Sequence, residues 1–339
     1  MRTAADDELW CPIVPRRADG EAIASAQCAA ISWARETGLV RGRDEATWAA
    51  AWNVAEFAGR VYAQAADLDL AAQWILWMDV IDDAVEAAPA GRLPALLNPL
   101  TRIFQGSITS CADGGTQALT DSLDDLWQRT REGMSPAWQN RIVQIWQQCA
   151  ASMPWEAANR AAGHPPSLDD YIARRGTAGA AFFALALTEG LCKYELPDAL
   201  HYGGLLSALR ILACDQICWA NDLLSLHREM ERGDVHNLAL VLERDRGLPR
   251  DEAIRTTVGM TNERMHAVTA LVEALPAYQR AAGLTAYESA LVARAVDTIE
   301  QWIAGSLEFH RLSTRHTDHQ SRRTNPFRTL VQAAQRPLP

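Results

Sequence analysis

The stretch Trp74-Ile-Leu-Trp-Met-Asp-Val-Ile-Asp-Asp-Ala-Val-Glu86 constrains the fold more than any other part of the chain. It is mostly apolar, yet it carries Asp79, Asp82, Asp83 and Glu86. At about 100° per residue, these four acids fall within a wedge of roughly 100° on a helix. Trp74, Leu76, Trp77 and Met78 mark that helix as one packed inside a protein. Like charges on one face of a buried helix repel each other and resist desolvation. The cluster is tolerable if divalent cations neutralise it, or if some of the acids are protonated. Asp82, Asp83 and Glu86 suit a hard cation such as Mg²⁺, which takes oxygen ligands and keeps several waters. A solvated acidic helix end is the plain alternative.

Almost every other stretch also reads as helix. Alanine, leucine, glutamate and arginine dominate, and no convincing period-2 alternation is present. Helices are expected at about 21–36, from an Asp44 cap to about 65, and from Asp67-Leu-Asp69 to Pro89. Weaker ones follow at about 93–106 and 116–132, separated by the Gly114-Gly115 turn. Ser135-Pro136 opens a long helix, and Ser167 caps a short turn leading to Tyr171. The rest read as helices at about 203–232, 236–245, 250–275 and 284–312. The expectation is one all-α domain over residues 1–339, with 1–20 as an irregular lead-in and 317–339 as a mobile polar tail.

Composition narrows the partners. The 339-residue chain is 48% hydrophobic and carries a net charge of −10. That balance argues against a nucleic-acid surface, which needs a basic patch. Any phosphate site has to be local, built from metals or placed arginines. Seven cysteines, including Cys111, show neither a CxxC pair nor a Cys/His metal spacing, which suggests reduced core thiols in a cytoplasmic protein. Met1 to Glu8 holds no apolar signal region, and no run approaches 18 apolar residues, so no membrane span is expected.

A second polar island is Asn221-Asp-Leu-Leu-Ser-Leu-His-Arg-Glu229. Asn221, Ser225 and Glu229 are spaced i, i+4, i+8 and drift only about 40° per step, so they share one stripe. An amide oxygen, a hydroxyl and a carboxylate form a mixed-oxygen half-shell for one Mg²⁺. Cys214, Ile217 and Cys218, in the preceding turns, are apolar on nearly the same face, which puts the stripe at the mouth of something apolar. Surface polar residues at i+4 also bond one another, but two such stripes ending two apolar helices are hard to obtain by chance.

Together these stretches resemble the bacterial class I terpene synthases (terpene cyclases), with a pentalenene synthase-like layout. Asp82-Asp83-Ala-Val-Glu86 resembles the family's aspartate-rich motif, and Asn221-Asp222-x-x-Ser225-x-x-x-Glu229 its second metal motif without a departure. Tyr171-Ile-Ala-Arg-Arg175-Gly-Thr177-Ala-Gly179 resembles the stretch that senses diphosphate. There Arg175 takes the sensing role, and Gly179 the effector position facing the ionising substrate. Leu307-Glu-Phe309-His310 to Arg315-His316 resembles the C-terminal segment that usually ends in Arg-Tyr. The match runs from about residue 10 to 316.

The resemblance implies a class I terpenoid synthase helical bundle around a central apolar cavity. It implies a lyase that ionises a linear isoprenyl diphosphate, with farnesyl diphosphate the leading substrate, and closes rings on the resulting cation. Geranyl, geranylgeranyl or alkylated diphosphates remain open. Three Mg²⁺ are implied in the loaded state, held by Asp82, Asp83 and Glu86 and by Asn221, Ser225 and Glu229. Arg175, Arg228, Arg315 and His316 grip the diphosphate, and the assembly is a monomer or a homodimer. A chain-elongating prenyltransferase and a non-catalytic isoprenoid carrier are the rival readings.

Two departures stand out. His316 replaces the usual tyrosine, and Asp79 occupies a position that the resemblance gives to an aromatic lining the cavity. Asp79 lies one turn, about 4.5 Å, below Asp82. It is open whether Asp79 is protonated, bonds a tryptophan, steadies a carbocation or turns sideways to another helix. Candidate aromatics for stabilising cations are Trp74, Trp77, Phe182, Phe183, Trp219 and Phe309, each of which core packing explains equally well. His310 is either a pocket base or a core histidine.

Overall fold

Helix boundaries follow capping chemistry written into the chain. The computed structural model describes residues 8–42, 52–107 and 116–312, and among them every regular element is helical. Helix α1 (Gly20–Glu36) starts where the Asp19 carboxylate accepts the N–H groups of Glu21 and Ala22. Helix α2 (Val54–Val61) stops short of residue 65, and the expected Asp44 cap lies outside the described residues. Helix α3 (Leu68–Ala87), the acidic one, is capped by Asp67, whose side chain accepts from the Leu70 N–H. A 3-10 turn (Ala90–Arg92) leads into α4 (Leu93–Phe104), and α5 spans Gln117–Arg131. The Gly114-Gly115 turn lies outside the described residues.

Ser135 caps α6 (Pro136–Ala162), whose first position is the proline. Ser167 opens a full helix, α7 (Leu168–Ala178), where only a short turn was expected. Helices α8 (Ala181–Leu191), α9 (Asp198–His201) and α10 (Gly204–Arg232) follow. Gly233 ends α10 with φ 71°, a left-handed cap that glycine adopts without strain. Then come α11 (Leu238–Asp245), α12 (Arg250–Ala281) and α13 (Ala286–Leu312). Pro276 does not stop α12. No helix among the described residues is long and apolar enough to cross a membrane.

One contiguous cluster of buried apolar side chains runs from Ile23 in α1 to Ile303 in α13. Its densest part is a wall of rings. Trp74 meets Trp77 edge-on at 5.8 Å, Trp77 meets Trp146 at 5.8 Å, and Trp146 meets Phe183 at 5.5 Å. The indoles of Trp74 and Trp77 donate to Thr130 Oγ1 and to the Leu119 carbonyl, both on α5. Cys149, Cys192, Cys214 and Cys218 are buried and Cys28 is exposed. The lead-in is pinned along α12 and α13. The Trp10 N–H donates to Asn262, Arg16 pairs with Asp297, and Arg311 donates to the Leu9 carbonyl.

Close approach of α13 to α2 depends on one glycine. A Cβ on Gly305 would lie 2.5 Å from the Arg60 carbonyl oxygen and 2.7 Å from its carbon, and backbone at that distance cannot yield cheaply. The Gln301 amide donates to the same Arg60 carbonyl, and the Arg60 guanidinium pairs with Glu308. Gly259, in the middle of α12, has nothing within 4 Å of its missing Cβ. Gly305→Ala is expected to cost about 3 kcal/mol through overpacking. Gly259→Ala is expected to gain about 0.5–1 kcal/mol from reduced chain entropy. Thermal denaturation of the two variants checks the contrast; equal midpoints would show that α13 can shift freely against α2.

Candidate active site

The acidic face of α3 and the oxygen-rich stripe of α10 open onto one cavity of about 230 Å³. Glu86, Asp82, Asp79, Met78 and Ile75 of α3 line it, facing Glu229, Arg228, Asn221, Cys218 and Ile217 of α10. On α3 these five residues fall within about 100° of helix circumference. Asp83 lies some 40° past the edge of that wedge, and it does not line the cavity. The two rows are close enough for Arg232, at the end of α10, to pair with Glu86 at 3.6 Å.

Ser225 lies fully buried beneath its neighbours. Its hydroxyl bonds the Glu229 carboxylate and the Asn221 carbonyl, both at 2.6 Å, which fixes the row. The Asn237 amide donates to the other Glu229 oxygen at 2.8 Å. Burial and the neighbouring Asp82 push the Glu86 carboxyl up to about 6. Burial, and then Asp222, push Glu229 up to about 7. Carboxyls this close to deprotonation at neutral pH can ionise when a cation arrives.

Arg175 also reaches the cavity, from the last turn of α7. Its Nε and Nη2 donate to Asp222 Oδ1 at 3.1 and 2.8 Å. The Tyr171 hydroxyl and the Leu238 N–H bond the other Asp222 oxygen. Asp222 therefore holds the guanidinium in place at the rim. Gly179 lines the cavity at the break between α7 and α8, where Ala180 takes φ 53°. A Cβ on Gly179 would sit 2.3 Å from Arg175 Nη1, so glycine makes room for the guanidinium to lie across the break.

Several lining residues went unnoticed in the sequence. Phe57 and Trp302 supply the aromatic lining, meeting edge-on at 5.7 Å. Trp74, Trp77, Phe182, Phe183 and Trp219 are not among the lining residues, and Trp219 instead stacks under Arg264 at 4.7 Å. Phe309 is one layer back, stacked on Phe57 at 4.6 Å. His310 lines the cavity, with Nε2 3.4 Å from the Asn221 amide, and so is not a core histidine. Asp79 is among the residues that line the cavity. Arg315, His316 and the 317–339 tail lie outside the described residues.

A further acidic group sits at the mouth. Glu156 of α6, and Asp234 and His236 of the α10–α11 loop, also line the cavity. Arg160 bonds both Glu156 at 3.2 Å and Asp234 at 3.4 Å. Asp234 also accepts the N–H groups of Val235 and His236, and despite its burial it stays below the usual carboxylate range. Glu156 lacks those N–H donors, and burial pushes it up to about 8. Its i, i+4 spacing to Arg160 was the available sequence signal, although such pairs abound on helices.

Residues 73–267 match the family model described as terpene synthase family 2, C-terminal metal binding. The chain belongs to that terpene synthase family. Curated relatives of this terpene synthase include the pentalenene synthase of Streptomyces exfoliatus, 28% identical over 316 residues, or 92% of this chain and 93% of that one. The crystal structure of germacradien-4-ol synthase from Streptomyces citricolor superposes with TM-score 0.79 at 26% identity, covering 91% of this chain and 99% of that one. Linalool/nerolidol synthase from Streptomyces clavuligerus in complex with 2-fluorogeranyl diphosphate matches with TM-score 0.79 at 25% identity, covering 90% and 98%. Family membership makes the chain a lyase with a metal-binding domain, and that domain includes both oxygen rows.

The mouth of this terpene synthase should carry its own pH signature. Glu156 binds a proton in the folded state from its ordinary 4.5 up to about 8, whereas the unfolded chain releases it. The folded state therefore holds more protons across that window, and stability falls as pH rises through it. Glu156→Gln removes this component. Without added divalent metal, the melting-temperature difference between Glu156→Gln and the parent should grow from pH 5 to pH 8. A flat difference would mean that Glu156 is ionised throughout.

Proposed function

We propose that this terpene synthase is a Mg²⁺-dependent cyclase that ionises a linear isoprenyl diphosphate, with farnesyl diphosphate as substrate. The observation that carries the reading is the shared cavity: two rows of oxygen donors at its mouth and apolar walls beneath. The donors are carboxylates, an amide and a hydroxyl, an all-oxygen set that fits a hard divalent cation. Among the described residues no three His, Cys, Asp or Glu side chains converge closely enough to hold an ion by themselves. Ions that take their remaining ligands from water and substrate oxygens suit such an open arrangement.

Asp82, Asp83 and Glu86 on α3, and Asn221, Ser225 and Glu229 on α10, would hold three Mg²⁺, with Asp83 turning toward the mouth to join. When bound, those ions neutralise the charge that develops on the leaving diphosphate. Arg175 and Arg228 add fixed donors at the rim, and Arg315 and His316 complete the grip from the C-terminal segment. Gly179 offers bare backbone beside the ionising carbon. Below the rim, Ile75, Met78, Ala181, Ala184 and Ile217 exclude water that would quench an allyl cation. Phe57 and Trp302 line the cavity and would stabilise positive charge through their rings, and Phe309 stacks on Phe57. The reading takes residues 8–312 as one folded unit, supported by the continuous core from Ile23 to Ile303. The names of the relatives agree with a terpene skeleton as product.

Incubation with Mg²⁺ and geranyl, farnesyl or geranylgeranyl diphosphate, followed by gas chromatography of the extract, tests the reading. Cyclic hydrocarbon and released diphosphate, strongest with farnesyl diphosphate, are expected. Asp82→Ala and Asn221→Leu should each lower turnover by at least about a hundredfold while melting cooperatively. Parental rates in either variant would remove that row from the site. A longer diphosphate, formed only with added isopentenyl diphosphate, would make the protein an elongating transferase.

A further inference from the structure

Asp79 is the one carboxylate of α3 that lines the cavity below the metal-motif acids. It stands one turn, about 4.5 Å, deeper than Asp82. The apolar lining of the same cavity includes Ile75, Met78, Phe57, Ala184 and Trp302. The other acids that line the cavity are Asp82, Glu86, Glu156, Glu229 and Asp234. Glu86 pairs with Arg232, Glu156 and Asp234 share Arg160, and Glu229 is held by Ser225 and Asn237. A carboxylate placed among apolar side chains is costly to bury, and such groups concentrate at functional sites.

On the proposed function, ionisation leaves the diphosphate at the rim and sends a carbocation into the apolar part. The cation must finally lose a proton or gain water. A carboxylate placed below the diphosphate attracts the positive charge strongly in this low-dielectric surrounding. It is also a base within reach of carbons that the rim cannot touch. We infer that Asp79 is the base that ends the reaction. One of its oxygens takes a proton from a carbon adjacent to the last cationic centre. The C–H bond breaks, its electron pair becomes the new C=C bond, and the charge on carbon is discharged. The proton stays on the Asp79 carboxyl until the mouth opens, then passes to solvent with product and diphosphate. The product is therefore an alkene formed at the Asp79 side of the cavity. The inference rests on the ionising reading of the same site.

The test compares the parent protein with Asp79→Asn, Asp79→Leu and Asp79→Glu, using farnesyl diphosphate and Mg²⁺. Diphosphate release and the hydrocarbon profile are measured separately, with thermal melts to establish folding. Asp79→Asn and Asp79→Leu should release diphosphate at rates within about tenfold of the parent. The share of the parental alkene should fall on the order of a hundredfold, replaced by alkenes from other deprotonations or by alcohols. Asp79→Glu, which keeps the base, should retain part of the parental profile. An unchanged profile in folded Asp79→Asn and Asp79→Leu overturns the inference. So does loss of diphosphate release with unchanged product proportions, which would place Asp79 in the ionising machinery. If the parent itself releases no diphosphate from any of the three isoprenyl diphosphates, the ionising reading fails and this inference with it.

Discussion

The buried carboxylate of Asp222 is the contact on which the site's geometry rests. It has no exposed surface, and it joins three elements. From α10 it accepts the Arg175 guanidinium and the Tyr171 hydroxyl of α7, and the Leu238 N–H that begins α11. The Asn237 amide donates to its backbone carbonyl at 2.6 Å and to Glu229 at 2.8 Å. A buried ion pair is not by itself a source of stability, since desolvation offsets much of the attraction. Its effect is geometric. Leaving Asp222 unpaired would cost about 3–5 kcal/mol, so α7, α10 and the start of α11 move as one body. Arg175 thereby meets the cavity from a fixed direction, and Glu229 keeps its place on the stripe.

The break between α7 and α8 follows from the same anchor. Arg175 reaches Asp222 by lying across Gly179, where any Cβ would collide with its Nη1. The chain then takes a left-handed step at Ala180, which a non-glycine residue adopts only under local constraint. Ala184 N–H bonds the Ala180 carbonyl, so α8 restarts at once. Two rigid helices flanking a tight break expose bare backbone at Gly179 beside Ala181 and Ala184 on the wall. Small residues around the break leave space that larger side chains would fill. The same logic governs α13, where Gly305 lets the helix press on α2 and so presents Trp302, Ser306 and His310 to the cavity.

What could be read in advance was local or periodic. Asp67, Ser135 and Ser167 cap helices because a short polar side chain reaches N–H groups two or three residues on, a matter of adjacent residues alone. The two oxygen rows were visible because i, i+4 spacing fixes a stripe whatever packs beside it. Which apolar residues face the hole depends on neighbours, and there the reading was weakest. Trp77 precedes Asp82 by five residues, about 140° around the helix, so it belonged to the opposite face by geometry alone. Phe57 and Trp302 carry no such signal, because their orientation is set by where α2 and α13 cross. Asp222 was in plain view within the second motif. Its place about 100° around the helix from Asn221 turns it toward α7, where it meets Arg175 and Tyr171. Asp234 and Glu156 share Arg160, which precedes Asp234 by 74 residues of sequence.

The remaining question is how so many acids coexist at one opening. Charge is divided unevenly among them. Asp234 keeps its charge because Arg160 and two backbone N–H groups surround it, whereas Glu156, sharing the same arginine, is pushed up to about 8. Glu86 and Glu229 lie between: burial raises them to about 6 and 7, against partial support from Arg160 and Arg232 for one and from Ser225 and Asn237 for the other. Near neutral pH the mouth therefore holds less negative charge than its count of acids suggests, and the folded state tolerates it without cations. Where divalent ions bind, they compete with protons at the carboxyls least able to hold charge alone. Glu86 and Glu229 stand one on each row, so a bound anion bridging the ions would draw the rows together. On the proposed function, such binding would tighten the acidic mouth, and among the described lining residues Asp79 is the carboxylate of α3 below it.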